Sequence, residues 1–372
     1  MKTLFSIALP IAALMTLRNV APQELSLPEP SGPFKVGTVA LKLLDSSRMD
    51  PYAPNAQKRE LMIQIYYPTR NTQYSTISPY MPHATAQFIS HEIGLPNNTL
   101  QRVQTAVYQG APIANANLPV VIFSPAITTS RLVYAALLSD LASRGYLVAS
   151  IDHPYDADVV QFPGGKMVFG VLGGDITIDQ INLAVEVRAA DASFVINQLG
   201  SREILKHIPA LHRRLDVRQV VMLGHSLGGA SAATAIIKDS RIVAGANFDG
   251  TFRGPAVDIG LDRPFLIMSR TQHNRTTDES WAKMWSNLRS YKLQLKLANS
   301  EHYTFSDFPV LASLVNLTSP EIVEKIGAIN GLRSLKIQST YIAAYLKYIF
   351  RRKRDSILVG PDKRYPEITF DF

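Results

Sequence analysis

The residues in this chain best placed to do chemistry stand in "LGHSLGGAS", residues 223–231. There Ser226 sits between Gly224 and Gly228 in the pattern G-x-S-x-G, directly after the apolar run Val220 to Leu223. A serine hydroxyl is a weak nucleophile unless a neighbouring base takes its proton and a carboxylate orients that base. The pattern alone also arises by chance. Its setting strengthens it, because a short buried strand precedes it and the small-residue stretch "GASAATAIIKD" after it reads as a helix. A strand-to-helix turn this tight would hold Ser226 out at the top of a sheet.

Around this turn the chain alternates between apolar runs and helical patterns. "FKVGTVALKLLD" (34–45) and "ELMIQIYYP" (60–68) read as alternating, antiparallel strands. "LPVVIFS" (118–124), "YLVASID" (146–152), the strand before Ser226, "IVAGANFD" (242–249), "PFLIMSR" (264–270) and "YKLQLKLA" (291–298) read as strands buried on both faces. Between them, "RLVYAALLSDLASRG" is expected as an amphipathic helix, with further helices over 178–199 and near 338–350. Such alternation predicts an α/β fold, a doubly wound, mostly parallel sheet with helices on both faces. One domain is expected over 34–350. Residues 69–117 are expected as an irregular arm carrying a helix over 84–93, and 351–372 as a basic tail.

Ligands of such sheets bind beyond the carboxyl ends of the strands. With the order serine, acid, histidine used by α/β-hydrolases, only His273 and His302 follow Ser226 far enough on. His302, after the last strand in "LANSEHYTFSDF", is expected as the base, and His273 as an exposed loop histidine. Two places can supply the acid: Asp249, ending an apolar run before Gly250, or Asp278 and Glu279 in the polar "TTDES". Oxyanion donors are expected at the backbone N–H groups of Leu227, after the nucleophile, and Ile127, in the turn "SPAITTS".

Composition bounds the alternatives. The chain has 372 residues, of which 46% are hydrophobic and 18% charged, and it has no cysteine, which excludes disulfides and thiolate chemistry. A net charge of +8 is scattered except for "RRKR" at 351–354, which follows a helical run where basic side chains meet the negative end of the dipole; nucleic acid is not expected as a partner. The acidic "IDHPYDAD" (151–158) lacks any metal-loop pattern, so no metal or other cofactor is expected. Trp281 and Trp285, four apart, are expected as one packing face of a helix. Residues 1–21, one lysine and then an apolar run, read as a secretory signal peptide, with an uncleaved anchor as the competing reading. Asn97, Asn274 and Asn316 are glycosylation sequons for such a route.

Taken together, "VVIFSPAITTSRLVYAALLSDLASRGYLVASIDHPYDA", "VVMLGHSLGGASAA", "GANFDGTF" and "LANSEHYTFSDFPVL" resemble the secreted, isoform II type of platelet-activating-factor acetylhydrolases and their fungal relatives. The likeness runs from about Phe34 to Phe350. It implies Asp249 as the acid, at the family's offset from the serine. It also implies His302 as the base of a His-x-x-Phe-x-Asp-Phe segment with Phe305, Asp307 and Phe308, and Ile127 and Leu227 as oxyanion donors. Pro125-Ala126 replaces the family's His-Gly. Calcium-independent hydrolysis of short or oxidised acyl esters of phospholipids is implied, through a covalent acyl-enzyme and with transient contact to a lipid surface. A lipase, polyester or secondary-metabolite esterase, thioesterase or acyltransferase remains the alternative, and a non-catalytic binding protein on this scaffold the reading from another class.

Overall fold

The computed structural model describes residues 25–73, 75–95 and 99–371. The 1–21 segment and Asn97 lie outside them. Among the described residues fourteen strands run in chain order: β1 (Leu25–Ser26), β2 (Lys35–Met49), β3 (Lys58–Thr69), β4 (Thr76–Pro79), β5 (Val103–Gln109), β6 (Val120–Ser124), β7 (Leu147–Asp152), β8 (Val159–Gln161), β9 (Met167–Phe169), β10 (Val220–His225), β11 (Ile242–Phe248), β12 (Phe265–Arg270), β13 (Lys292–Leu297) and β14 (Ile368–Phe370). Nine α-helices accompany them among the described residues: α1 (His83–Glu92), α2 (Ala135–Ser143), α3 (Ile178–Leu199), α4 (Leu227–Lys238), α5 (Ala256–Ile259), α6 (Glu279–Asn287), α7 (Phe308–Leu314), α8 (Pro320–Ile326) and α9 (Gly331–Arg351).

The sheet order is β1-β5-β2-β3-β7-β6-β10-β11-β12-β13-β14. Its centre, β7 through β13, is parallel, while β3 joins β7 and β14 joins β13 antiparallel. The mostly parallel, doubly wound architecture expected from the alternation is therefore present. Successive strand residues explain why the central runs are apolar throughout. Val121, Phe123, Val148, Val221 and Leu223 pack with α2 and α9 on one face; Val120, Ile122, Leu147, Ala149, Val220 and Met222 pack with α3, α4 and α6 on the other.

Helix ends follow local chemistry. Thr177 and Gln180 close a reciprocal capping box on α3, with Thr177 Oγ1 accepting from Gln180 N at 3.2 Å and Gln180 Oε1 from Thr177 N at 2.8 Å. Asn330 caps α9, whose last turn ends at the exposed Arg351 and a left-handed Arg352, as the dipole reading of the basic cluster requires.

Three local expectations are corrected. Helix α2 is not amphipathic: all nine residues are buried, because α9, β7 and the segment before β2 enclose it. Part of the 69–117 arm belongs to the sheet, since β5 pairs with β1, β2 and β4; its short alternation is masked by the polar loops around it. Residues 351–372 are not a free tail, because β14 covers the β13 edge and Ile368 is buried.

Candidate active site

Four loops meet at the carboxyl ends of β6, β10, β11 and β13, and each contains a non-glycine residue in the left-handed region: Thr128, Ser226, Asp249 and Asn299. Such conformations cost energy and persist where surrounding structure fixes them. Ser226, at φ 55° and ψ −123°, joins β10 to α4. Its N–H donates to Phe248 O at 2.8 Å, so the elbow rests on the end of β11. A Cβ at Gly228 would lie 2.0 Å from Ser124 O, and one at Gly250 2.1 Å from Ser226 O, which is why these turns are glycine.

Asp249 is brought to His302. Its Oδ2 accepts from His302 Nδ1 at 2.7 Å, which fixes the tautomer and leaves Nε2 as the ring's lone-pair nitrogen. Asn247 holds the turn, accepting from Gly250 N at 2.9 Å and donating to Gly250 O at 2.7 Å. Burial opposes the charge of Asp249, but hydrogen bonds from His273 and His302 outweigh it and hold this carboxyl below the usual range. The Ser226 hydroxyl and His302 Nε2 make no hydrogen bond among the described residues. His225 supplies the link between their loops: its Nε2 donates to His302 O at 2.9 Å, and the two rings lie 4.7 Å apart.

His225 is missed as a positioning residue by sequence reasoning. Burial, then the neighbouring His302, pull its pKa well below normal, so the ring is neutral. With Nε2 donating, Nδ1 accepts from Tyr134 Oη at 2.9 Å, and Tyr134 Oη in turn accepts from Ala126 N at 3.0 Å. One chain of hydrogen bonds thus ties the β6 turn, the elbow and the His302 loop together.

Arg188, fully buried on α3, acts on the same turn. It pairs with Asp156 through Nε–Oδ2 at 2.7 Å and Nη2–Oδ1 at 2.5 Å, and donates to Pro125 O at 2.5 Å and Ala126 O at 3.2 Å. A trans peptide points its N–H opposite its C=O, so holding Ala126 O turns the Ile127 N–H the other way, with no acceptor among the described residues. Leu227 N–H, first in α4, likewise has no partner within the helix, because the first four amides of any helix have none. Replacing Arg188 with methionine leaves Asp156 buried and unpaired. A loss of about 3–5 kcal/mol of stability is expected by urea denaturation, with kcat falling more than KM rises in the protein that folds.

Three members of the acidic "IDHPYDAD" run are likewise structural: Asp152 pairs with Arg131, Asp156 with Arg188, and His153 Nδ1 donates to Asp191 Oδ2 at 2.8 Å, while Asp158 borders the cavity at Thr128. Asp307 is buried at the start of α7, accepting from Ala136 N and Tyr80 Oη, each at 3.1 Å, and pins the His302 loop to α2. Phe305 stacks on Phe248 at 6.3 Å behind it.

His273 is corrected. It is not an exposed loop histidine: its side chain is 11% exposed and both ring nitrogens bond carboxylates, Asp249 Oδ1 at 3.0 Å and Asp278 Oδ2 at 2.9 Å. Asp278 is a helix N-cap, accepting from Ser280 N at 2.9 Å, and does not reach His302, whose Nδ1 is held by Asp249. Glu279 is exposed in the first turn of α6. Trp281 does more than pack, for its Nε1 donates to Gly250 O at 2.8 Å and its indole lies 4.2 Å from the His273 ring.

Next to His302 in sequence, Tyr303 lines an apolar cleft together with Ile93, Leu95, Leu311, Ile322 and Ile326. A smaller cavity at the β6 turn, bounded by Thr128, Thr129, Asp158 and Phe308, shares the walls Ile93 and Phe308 with it. Among the described residues no helix is long and apolar enough to cross a membrane.

Comparison with known proteins gives the arrangement its setting. Residues 20–161 and 185–355 match the family model "Platelet-activating factor acetylhydrolase, isoform II". A protein of Arthroderma benhamiae named "Probable 1-alkyl-2-acetylglycerophosphocholine esterase" is 33% identical over 94% of each chain. A platelet-activating factor acetylhydrolase of Canis lupus familiaris is 23% identical over 80% of this chain and 71% of its own. Among solved structures, a ferulic acid esterase from Streptomyces cinnamoneus superposes with a TM-score of 0.82 at 32% identity, covering 94% of this chain and all of the other. This chain belongs to the platelet-activating factor acetylhydrolase isoform II family and is a carboxylic ester hydrolase of the α/β-hydrolase fold.

Proposed function

We propose that Ser226 is the nucleophile, His302 the general base and acid, Asp249 the carboxylate that orients it, and the N–H groups of Ile127 and Leu227 the oxyanion hole. Ser226 Oγ attacks the ester carbonyl carbon as its proton passes to His302 Nε2. The tetrahedral oxyanion is held by the two amides, one of them at the positive end of the α4 dipole. Collapse expels the alcohol, which takes the proton from His302, and water then repeats the sequence on the acyl-enzyme. No step calls for a metal or another cofactor. The observation that carries this reading is the 2.7 Å His302–Asp249 bond, made beside a serine in a strained strand-to-helix turn.

The substrate we propose is a phospholipid bearing a short or oxidised acyl group, whose long alkyl chain occupies the apolar cleft beside Tyr303. The relatives named for alkyl-acetyl-glycerophosphocholine and platelet-activating factor support this, and so does the apolar lining. Burying a chain is worth about 0.8 kcal/mol per methylene. Ile322→Trp, placed where the side chain is half-buried at the cleft wall, is therefore expected to lower kcat/KM for long-chain lipids about 10- to 50-fold by excluding two or three methylenes. Water-soluble acetyl esters are expected to be unaffected within about twofold.

A second reading is an esterase of aromatic acids, favoured by the ferulic acid esterase neighbour. Rates across acyl lengths from acetyl to palmitoyl, on simple esters, phospholipids and a feruloyl ester with chelator present, separate the readings. A steep fall beyond short acyl groups supports the first, and a preference for feruloyl over every lipid overturns it.

Export through the 1–21 segment and brief contact with lipid surfaces complete the proposal. So does glycosylation at the sequons, of which Asn316 is exposed between α7 and α8 and Asn274 is half-buried before α6. A mass shift removed by an N-glycosidase tests the last.

A further inference from the structure

Asp249 offers its two oxygens to two different imidazoles, Oδ2 to His302 and Oδ1 to His273. The second nitrogen of His273 lies 2.9 Å from Asp278 Oδ2. An ionised carboxylate only accepts hydrogen bonds, so both nitrogens of His273 must donate, and a ring with two N–H groups is an imidazolium. Its partners are held in place. Asp278 Oδ1 accepts from Ser280 N at 2.9 Å and Ser280 Oγ at 2.6 Å, and Asp278 Oδ2 accepts from Thr251 Oγ1 at 2.8 Å. Trp281 covers the ring at 4.2 Å, an arrangement that favours a cation over an indole face.

We propose that His273 is a cationic positioning residue: with Asp278 it clamps Asp249 in the orientation that His302 needs and withholds part of the Asp249 charge from His302. The proposal rests on the reading of Asp249 and His302 given above. His273 touches neither substrate nor reacting atoms and acts through Asp249.

Charged groups from every side fit this assignment. Asp249 faces the ring from the end of β11 and Asp278 from the start of α6. Arg270, ending β12, approaches Asp249 Oδ2 at 3.7 Å but spends its Nη1 on Glu301 at 3.0 Å, and Glu301 and His302 come from the loop after β13. Arg275 is paired with Asp371 at 3.0 Å. Two carboxylates thus contact the ring itself, while Arg270 and Arg275 are each engaged by another carboxylate. Burial works against the charge of His273, but the bonds and fields of Asp249 and Asp278 prevail and push its pKa up to about 9.

The experiment reads the ring and the rate separately. Nitrogen-15 NMR of the histidine side chains in the full chain, with His273 assigned by its loss in His273→Gln, is expected to show both His273 nitrogens protonated at pH 7. In His273→Gln the acid limb of the kcat/KM profile is expected to move up by about one pH unit. Without the cation, the full Asp249 charge holds a proton on the His302 ring, so activity below the limb falls about tenfold. Asp278→Asn removes the second charge and one acceptor: with its amide oxygen kept by Ser280, its N–H₂ faces His273 Nε2, which must then accept and give up its proton, so the limb is expected to move the same way. A neutral His273 at pH 7 overturns the proposal. An unmoved acid limb in both variants, with active sites counted by a fluorophosphonate ester, overturns it as well. Should His273→Gln fail to fold, His273→Asn supplies the assignment, and should Asp278→Asn fail, the charge of the ring and the His273→Gln profile decide. Failure of the fluorophosphonate to label Ser226 in the wild type would instead refute the nucleophile reading, while the ring's charge would still be measured.

Discussion

Ester hydrolysis by the Ser226→Ala protein is expected to fall about 10⁴- to 10⁶-fold in kcat, with KM nearly unchanged. In the proposed mechanism the hydroxyl is the only atom that forms the acyl bond, while the amides of Ile127 and Leu227 and the apolar cleft would still hold the substrate. A residual rate above that of water is therefore expected from the proposed oxyanion donors alone. The elbow survives the change, because its shape rests on the Ser226 N–H bond to Phe248 O and on the close approaches at Gly228 and Gly250, none of which involves the hydroxyl. Stopped assays on a phospholipid and a soluble acetyl ester, with urea denaturation of both proteins, check this. An unchanged rate would end the serine mechanism, and a lost rate with lost stability would leave the elbow damaged rather than disarmed.

Asp249→Asn is expected to cost about 10⁴-fold in kcat, and the structure indicates why. An amide has one acceptor and one donor where the carboxylate had two acceptors. His273, donating at 3.0 Å on one side, draws the amide oxygen towards itself, which turns the amide N–H₂ towards His302 Nδ1. His302 must then carry its proton on Nε2, the nitrogen that takes the proton of Ser226 in the proposed mechanism. The Arg270 N–H, 3.2 Å from Asp249 Oδ1, draws the amide oxygen the same way, so adding His273→Gln in the same chain is expected to restore no rate. Kinetics of the two single variants and the double variant, compared as a cycle, check this, and a rate restored in the double variant would contradict it.

What was legible in the sequence follows from what periodicity reports. Continuous apolar runs such as "VVIFS" and "VVML" specify strands buried on both faces whichever helices cover them, so the parallel sheet, the helix over 178–199 and the turn at Ser226 could be read locally. Chain order and strand ends narrowed the partners to His302 and to Asp249 or Asp278, since loops at one end of a parallel sheet share one rim.

The rest was decided by residues far apart in sequence. His273 reads as a polar loop residue beside a sequon; only the fold places it between Asp249, 24 positions before it, and Asp278, and under Trp281. Arg188 lies in a helical pattern that says nothing of Asp156, 32 positions away, or of the Pro125 and Ala126 carbonyls it turns. The enclosure of α2 and the pairing of β5 and β14 were hidden likewise, because an apolar or alternating stretch announces that a face will be covered but not by what. By itself the sequence determined a hydrolase sheet with a serine at its rim. Tertiary structure alone decided which buried charges meet there, because the balance between the desolvation of a charge and its pairing depends on partners that local pattern does not encode.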